Sequence, residues 1–316
     1  MLAHRTRRYY KKLKMLNILV LGSEGFVGSH LVTHSSLCGY NVFGCDILEQ
    51  SRGIIDKNYF KYKNIGTISK IFKSQKIDTC INASGSGNVS LSINNPAFDF
   101  KKNTSDVFDI LEAIRTHKPD CTYLHISSAA VYGEPKIFPI DENATLNPLS
   151  PYGWHKFAAE LICKEFSQVY GLKTIIIRPF SVYGTQLKKQ LLWDLYQKYI
   201  LNNNEIVLYG TGNETRDFIF IEDMVGVVEL IVRKANTNAE IFNIASGEAN
   251  TIKKVAELFL SHIDKNTKIK FNSIERKGDP EFWKADISKI INLGFTPKTN
   301  LEQGLKIVSE WIKNQN

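Results

Sequence analysis

The sequence lacks a long apolar run: nowhere do its 316 residues approach the ~20 consecutive apolar positions that a membrane-spanning helix needs. Stable membrane insertion by a helix is therefore not expected, and the short run at 16–21, which closes on Gly22, reads as a buried strand. Cysteine is sparse and scattered. The five (Cys38, Cys45, Cys80, Cys121, Cys163) are odd in number and none stands in Cys-x-x-Cys spacing. That argues against a disulfide framework or a zinc site, leaves no metal expected, and points to a reducing cytoplasm. Internal repeats, low-complexity blocks and Pro/Gly/Ser linkers are also missing, so the chain reads as one large unit with a smaller appended region. Acids are absent before Met15, where Arg5, Arg7, Arg8, Lys11, Lys12 and Lys14 stand. Those six residues carry most of the net charge of +8 and leave the remainder close to neutral. Residues 1–14 thus read as a basic extension without the apolar core of a secretory signal, and no nucleic-acid binding is expected of the rest.

What is present alternates. Strand-like runs centre on 17–21, 41–45, 79–82, 123–127 and 174–178, with helical stretches near 28–37, 68–73, 97–116 and 151–170 between them. Continuous apolar strands separated by helices imply an α/β fold with a parallel sheet covered on both faces. Beyond 178 the pattern loosens, with helices near 251–260 and 301–312. Part of this later material is expected to return to the sheet.

The first strand runs directly into Gly22-Ser23-Glu24-Gly25-Phe26-Val27-Gly28. In a G-x-x-G-x-x-G run the first glycine allows a tight turn and the second a close backbone approach to a pyrophosphate. The third lets the helix pack on the sheet, while the helix N-terminus supplies N–H donors. Three glycines after a strand also suit an ordinary sharp turn. The second strand narrows the choice, because it ends at Asp46, 18 residues after Gly28. An acid at about that distance binds adenosine ribose hydroxyls. Ile47 and Leu48 follow, with no adjacent cation for a 2′-phosphate, which favours NAD over NADP, although Arg52 is near. Residues 15–180 are read as a Rossmann-type dinucleotide-binding domain with a doubly wound parallel sheet. Residues 181–316 are read as a mainly substrate-binding region.

Ser127 and Ser128 close a later strand, and Tyr152-Gly153-Trp154-His155-Lys156 opens a predicted helix. Residues i and i+4 share a helix face, which sets Lys156 beside Tyr152. A tyrosine has a pKa near 10, so about 4 kcal/mol of phenolate stabilisation is needed before it acts as a base near neutrality. A neighbouring ammonium and an oxidised nicotinamide are suitable sources. A serine at the strand end would hold the reacting hydroxyl against the tyrosine while hydride leaves the same carbon.

The ordered series resembles the extended short-chain dehydrogenases/reductases, the NAD-dependent epimerase/dehydratase family, from Met15 to Lys313. Besides the segments above, Val89-Ser90-Leu91-Ser92 with Pro96, Asn103-Thr104 and 178–184 carry the likeness. So do Thr215-Arg216-Asp217-Phe218, 242–247 and Arg276-Lys277-Gly278-Asp279. The resemblance implies catalytic Ser128, Tyr152 and Lys156. It implies a cofactor site of Gly22, Gly25, Phe26, Val27, Gly28, Asp46, Ala83 and Asn103, completed by Tyr152 and Lys156. On the substrate side it implies Ser92, Ser128, Ser181, Arg216, Arg276 and Trp283, the two arginines gripping a nucleotide-sugar diphosphate. A homodimer through the helices near 97–116 and 151–170 is implied as well.

Two departures bear on the reaction. Family dehydratases carry an Asp-Glu pair after the catalytic Ser/Thr, and decarboxylases keep a glutamate there. This chain has Ala129-Ala130, so oxidation and reduction at a ring carbon remain. The leading expectation is an NAD-dependent nucleotide-sugar 4-epimerase working through a 4-keto intermediate. The alternative is an NAD(P)H-dependent 4-keto-sugar reductase. A catalytically silent Rossmann-type binding or sensor protein would have signalled itself by losing Ser128, Tyr152 or Lys156, and all three are present. The second departure is Ser181, which stands where the family usually has asparagine. By the same resemblance Trp283 limits space beside the sugar 2-substituent.

Overall fold

The computed structural model describes residues 15–274, 278 and 280–315. Seven parallel strands form the central sheet. They are β1 (Asn17–Leu21), β2 (Asn41–Asp46), β3 (Tyr59–Lys61), β4 (Thr79–Asn82), β5 (Thr122–Ile126), β6 (Thr174–Pro179) and β10 (Asn238–Ile244). Their spatial order is β3-β2-β1-β4-β5-β6-β10, so the chain winds outward from β1 and then returns to wind the other way from β4. Winding reverses between β1 and β4, and ligands of such sheets sit beyond the strand ends at that point.

Alternation along each strand divides the core. Leu19, Leu21, Phe43, Tyr123 and Ile176 pack against α2 (Ile65–Ser74), α5 (Asp106–His117) and α6 (Pro151–Tyr170) on one face. Ile18, Val20, Leu124, Ile175 and Ile177 pack against α1 (Phe26–Leu37) and α8 (Ile221–Lys234) on the other. Strand β6 is buried along its whole length, which is why it reads as an unbroken apolar run. β10 and α8 come from beyond residue 180, so the sheet draws on both sides of that position.

The helix expected over 97–116 is interrupted. Asn88 caps α3 (Val89–Asn94), and Asn95 caps α4 (Pro96–Phe100), whose first residue is proline. A π turn at Lys101–Ser105 then leads into α5. Proline at the first helical position and an Asn cap before it are start signals, so a new helix begins there instead of one continuing through.

The later residues build a smaller layer. β7 (Ser181–Tyr183), β9 (Thr215–Phe220) and β11 (Ala249–Thr251) form one sheet, and β8 (Glu205–Leu208) pairs with β12 (Lys268–Phe271). Around Leu195, Phe220, Phe259 and Val308 pack α7 (Gln190–Leu201), α9 (Ile252–Ser261) and α11 (Leu301–Lys313). The short α10 (Ser288–Asn292) returns to the central sheet through Ile290.

Among the described residues no helix is long and apolar enough to cross a membrane. One buried polar network ties the central sheet to α6. Glu160 pairs with Arg178 at 2.6 Å and accepts the Ser127 hydroxyl at 2.6 Å, while Arg178 donates to the Tyr132 hydroxyl at 2.9 Å. Both ions are fully enclosed and mutually compensated, so the network fixes one arrangement of β5, β6 and α6.

Candidate active site

At the end of β1 the chain turns on Gly22, whose φ is +75°. A Cβ there would lie 2.8 Å from the Ala83 carbonyl oxygen, and one at Gly28 would lie 1.9 Å from the Gly22 oxygen. Only glycine lets this loop lie against both β4 and its own helix. Gly25 is the N-cap of α1 and supplies no side-chain acceptor, so the first-turn N–H groups at Phe26, Val27 and Gly28 are left for an external anion. Asp46 closes β2 beside this turn, one carboxylate oxygen accepting Glu24 N–H at 2.9 Å and the other Ile47 N–H at 2.7 Å. The glycine cradle, the open helix terminus and an acid at the strand end fit a dinucleotide.

Glu24 is a residue that sequence reasoning passed over. Its carboxylate accepts the Ser51 hydroxyl at 2.6 Å and Arg52 N–H at 3.1 Å, which pins the loop after β2 next to Asp46. Two carboxylates thus stand together beside the end of β2. Their joint charge would oppose a phosphate there more strongly than that of Asp46 alone. An acid within the glycine-rich loop was the available signal.

Ala83 stands at the end of β4 and donates its N–H to the Leu21 carbonyl at 2.9 Å. Asn103 lies in the π turn, and its amide grips the next loop at both ends. The carbonyl accepts Ser86 N–H at 3.2 Å, and the amino group donates to the Ser86 oxygen and to Asp99, each at 3.0 Å. In this structure Asn103 therefore shapes the loop after β4 through hydrogen bonds within the protein.

Ser128 begins a tight turn after β5, and its hydroxyl oxygen accepts Ala130 N–H at 3.1 Å. The Ser128 hydroxyl lies near enough to the Tyr152 phenol to act on its ionisation. The start of α6 is fixed twice: the Ser150 hydroxyl oxygen accepts Gly153 N–H at 3.2 Å and that of Ser92 accepts Tyr152 N–H at 3.1 Å. A Ser-Pro pair ahead of a helical stretch is a readable cap-and-first-turn signal for the first of these. The resemblance had implied a substrate contact for Ser92. The structure buries it completely, where it also donates to the Val89 carbonyl at 2.7 Å and so anchors the catalytic helix.

Lys156 lies one turn after Tyr152, buried, and donates to the Ile126 carbonyl at 2.9 Å. Burial brings its ammonium down to about 8, opposed chiefly by the nearby Asp99 carboxylate. Burial pushes the Tyr152 phenol up, the Ser128 hydroxyl pulls it back, and Asp99 pushes it up again.

In the smaller layer Ser181 opens β7 and is half-buried. Arg216, on β9, donates to the Thr215 carbonyl at 2.8 Å and lies over the Trp283 ring at 5.6 Å. Trp283 is enclosed, its indole N–H donating to the Gly133 carbonyl at 3.1 Å and its ring meeting Phe180 edge-on at 5.6 Å. Asp217, which sequence reasoning quoted without a role, accepts N–H groups from Ser246, Gly247 and Ala285 and so joins β9 to the segments at 246–247 and 285. Arg276 and the basic extension 1–14 lie outside the described residues.

Comparison with known proteins shows the family. Residues 18–245 match the family described as NAD dependent epimerase/dehydratase. The chain is 30% identical over 306 residues to a putative UDP-glucose 4-epimerase of Methanocaldococcus jannaschii, covering 95% of this chain and 99% of that protein. Among solved structures, a UDP-glucuronic acid 4-epimerase from Bacillus cereus, in complex with UDP-glucuronic acid and NAD, is 27% identical with a TM-score of 0.86. That likeness covers 95% of this chain and 100% of the other. A UDP-glucose 4-epimerase from Thermotoga maritima with UDP-glucose is 28% identical, with a TM-score of 0.83 over 95% and 99% of the two chains.

Proposed function

Because the chain belongs to the NAD dependent epimerase/dehydratase family, we propose that it is a nucleotide-sugar epimerase acting at C4 of the sugar. It is an enzyme with NAD as its cofactor. The observation that carries the reading is the Ser128 hydroxyl close to the Tyr152 phenol, with Lys156 one helical turn on and Ala129-Ala130 directly after the serine. That set can move a proton on and off a ring hydroxyl. It holds no acid and base for eliminating a neighbouring group.

Gly22, Gly25, Phe26, Val27 and Gly28 would hold the pyrophosphate of NAD, Asp46 its adenosine ribose, and Lys156 its nicotinamide ribose. Ala83 and Asn103 line the loop on the same side. When bound, NAD supplies a reversible hydride acceptor for the sugar carbon. Tyr152 takes the C4 hydroxyl proton and later returns it, while Ser128 holds the same oxygen as hydroxyl and as ketone. The 4-keto sugar turns between the two half-reactions, so its other face meets the cofactor. Arg216 and Arg276 would bind the diphosphate, and Ser181 would reach the nucleotide-sugar with a shorter side chain than asparagine. Trp283 would close the pocket beside the sugar 2-substituent and disfavour a bulky N-acetyl group there. A natural division follows, with residues 15–180 mainly for the cofactor and 181–316 mainly for the substrate.

The chain is also proposed to form a homodimer. The adjacent helices of the α4–α6 region expose Phe100, Phe108, Trp154 and Leu161, each more than two-fifths accessible. Large apolar side chains gathered on neighbouring helices suit a second copy.

The test begins with purified enzyme denatured to identify released nucleotide. Fresh enzyme is then given UDP-, dTDP- and GDP-sugars without reductant. Release of NAD and interconversion of two C4 epimers is the expected result, and Tyr152→Phe should abolish most turnover while retaining NAD. Activity confined to 4-keto sugars with added NADH or NADPH would make the protein a reductase. Near-wild-type turnover by Tyr152→Phe would remove its assigned role.

A further inference from the structure

Asp99 is completely buried on the short helix α4, and neither the dinucleotide motif nor the Ser-Tyr-Lys set uses it. One carboxylate oxygen accepts the Asn103 amino group at 3.0 Å, and the other faces His155 Nδ1 at 2.7 Å. Asn103 in turn grips Ser86 in the loop after β4. His155 immediately precedes Lys156, and its carbonyl accepts the Thr104 hydroxyl at 2.9 Å. A closed set of bonds therefore joins the cofactor-side loop, the π turn and the catalytic helix, with one carboxylate at its centre.

We propose that Asp99 is a positioning residue for the epimerase chemistry, its bonds to Asn103 and His155 setting Lys156 and its helix against the loop after β4.

This rests on the roles assigned to Tyr152 and Lys156 above. Burying a carboxylate is costly unless its partners compensate, and an apolar side chain would fill the same space without that cost. The charge therefore calls for a use. Two acids act on Lys156, together with the Cys163 thiol. Asp99 approaches from α4, and Glu160 lies on α6 itself. Glu160 is matched by Arg178, so its field is largely cancelled. From β5, His125 faces the same lysine, and burial holds its ring neutral. Asp99 is the largest influence opposing the desolvation that brings Lys156 to about 8. The same carboxylate pushes the Tyr152 phenol up. Its benefit to catalysis therefore runs through Lys156.

The experiment is the pH profile of kcat for wild type, Asp99→Asn and Tyr152→Phe, with whichever of the UDP-, dTDP- and GDP-sugars the wild type interconverts. Without the Asp99 charge, the alkaline limb should move down by about 1 pH unit or more, the usual scale for losing a close opposite charge. At pH 8 the charged fraction of Lys156, and with it kcat, should fall about fivefold for such a shift, with KM little changed. If the Asn variant does not fold because its amide opposes the Asn103 amino group, Asp99→Ser removes the charge and leaves room for water. It should show the same shift. Loss of activity by one constant factor at every pH, with the limb unmoved, would show a packing role only and overturn the proposal. An active Tyr152→Phe would instead remove the catalytic assignment on which it stands, whatever the Asp99 variants do.

Discussion

Replacing Gly153 with alanine should separate catalytic geometry from fold stability. Gly153 lies in the first turn of α6, directly after Tyr152, and packs on the turn that follows Ser128. A Cβ there would stand 2.7 Å from the Ala130 carbonyl oxygen and 2.9 Å from Pro148 Cβ. Ordinary contact distances require the two elements to part by roughly 0.5–1 Å. The turn cannot absorb this alone, because Ala130 N–H is tied to the Ser128 hydroxyl oxygen at 3.1 Å. Tyr152 and Ser128 are thus driven apart. A misplacement near 1 Å costs about 100-fold in rate, so a loss of about 10- to 100-fold, or roughly 1.4–2.7 kcal/mol, is expected. Stability should move much less, since alanine gains up to about 1 kcal/mol of helix propensity against the strain. Gly226, inside α8, is the control: a Cβ there meets nothing within 4 Å. Gly226→Ala should raise stability by about 0.4–1 kcal/mol and leave kcat alone. The assay is steady-state turnover with parallel thermal melts. Wild-type kcat and a raised Tm for Gly153→Ala would refute the reasoning, because the close approach would then be of no consequence for the site.

Alkaline stability and assembly give two further tests. Burial pushes Cys45 and Cys121 up to about 12 and raises Cys80 and Cys163 as well, so the unfolded chain sheds these protons first. Their contribution is present below about pH 9 and is lost as pH climbs toward 12. Lys156, held at about 8 against an ordinary 10.5, acts with the opposite sign between those values, but it is one group against four. Tm measured under reducing conditions should therefore fall between about pH 9 and 10.5, and a rise would contradict the balance. Leu161→Glu should convert a dimer to a monomer in sedimentation, and a wild-type chain that is monomeric at micromolar concentration would dispose of the dimer.

Most of what identifies the family is local in the chain. The turn at Gly22, the acid ending β2 and the Tyr152–Lys156 spacing depend on short separations along one strand or helix, where covalent geometry alone sets what meets what. Parallel strands β1, β2, β4, β5 and β6 were legible for a related reason: strands buried on both faces must be apolar throughout. β3 escaped notice because three half-buried residues carry too little pattern. In β10, Asn243 interrupts the apolar run. It is buried because Tyr132 donates to it and it donates to the Ile140 carbonyl, partners 111 and 103 residues away.

Only the tertiary structure decided what several residues do with their polar atoms. Ser92 binds the backbone of the catalytic helix 60 residues away, Asp99 meets His155 across 56, and Glu24 reaches the loop at Ser51. No periodicity records these meetings, since each depends on two elements being brought together by packing of other residues. The sequence by itself determined five of the seven strands, the cofactor motif and the Tyr152–Lys156 spacing, because those follow from patterns within single elements. Which carboxylate ties the loop after β4 to the helix of Tyr152, and which glycine lets that helix approach the turn after Ser128, was decided when separate elements came within hydrogen-bonding or van der Waals reach.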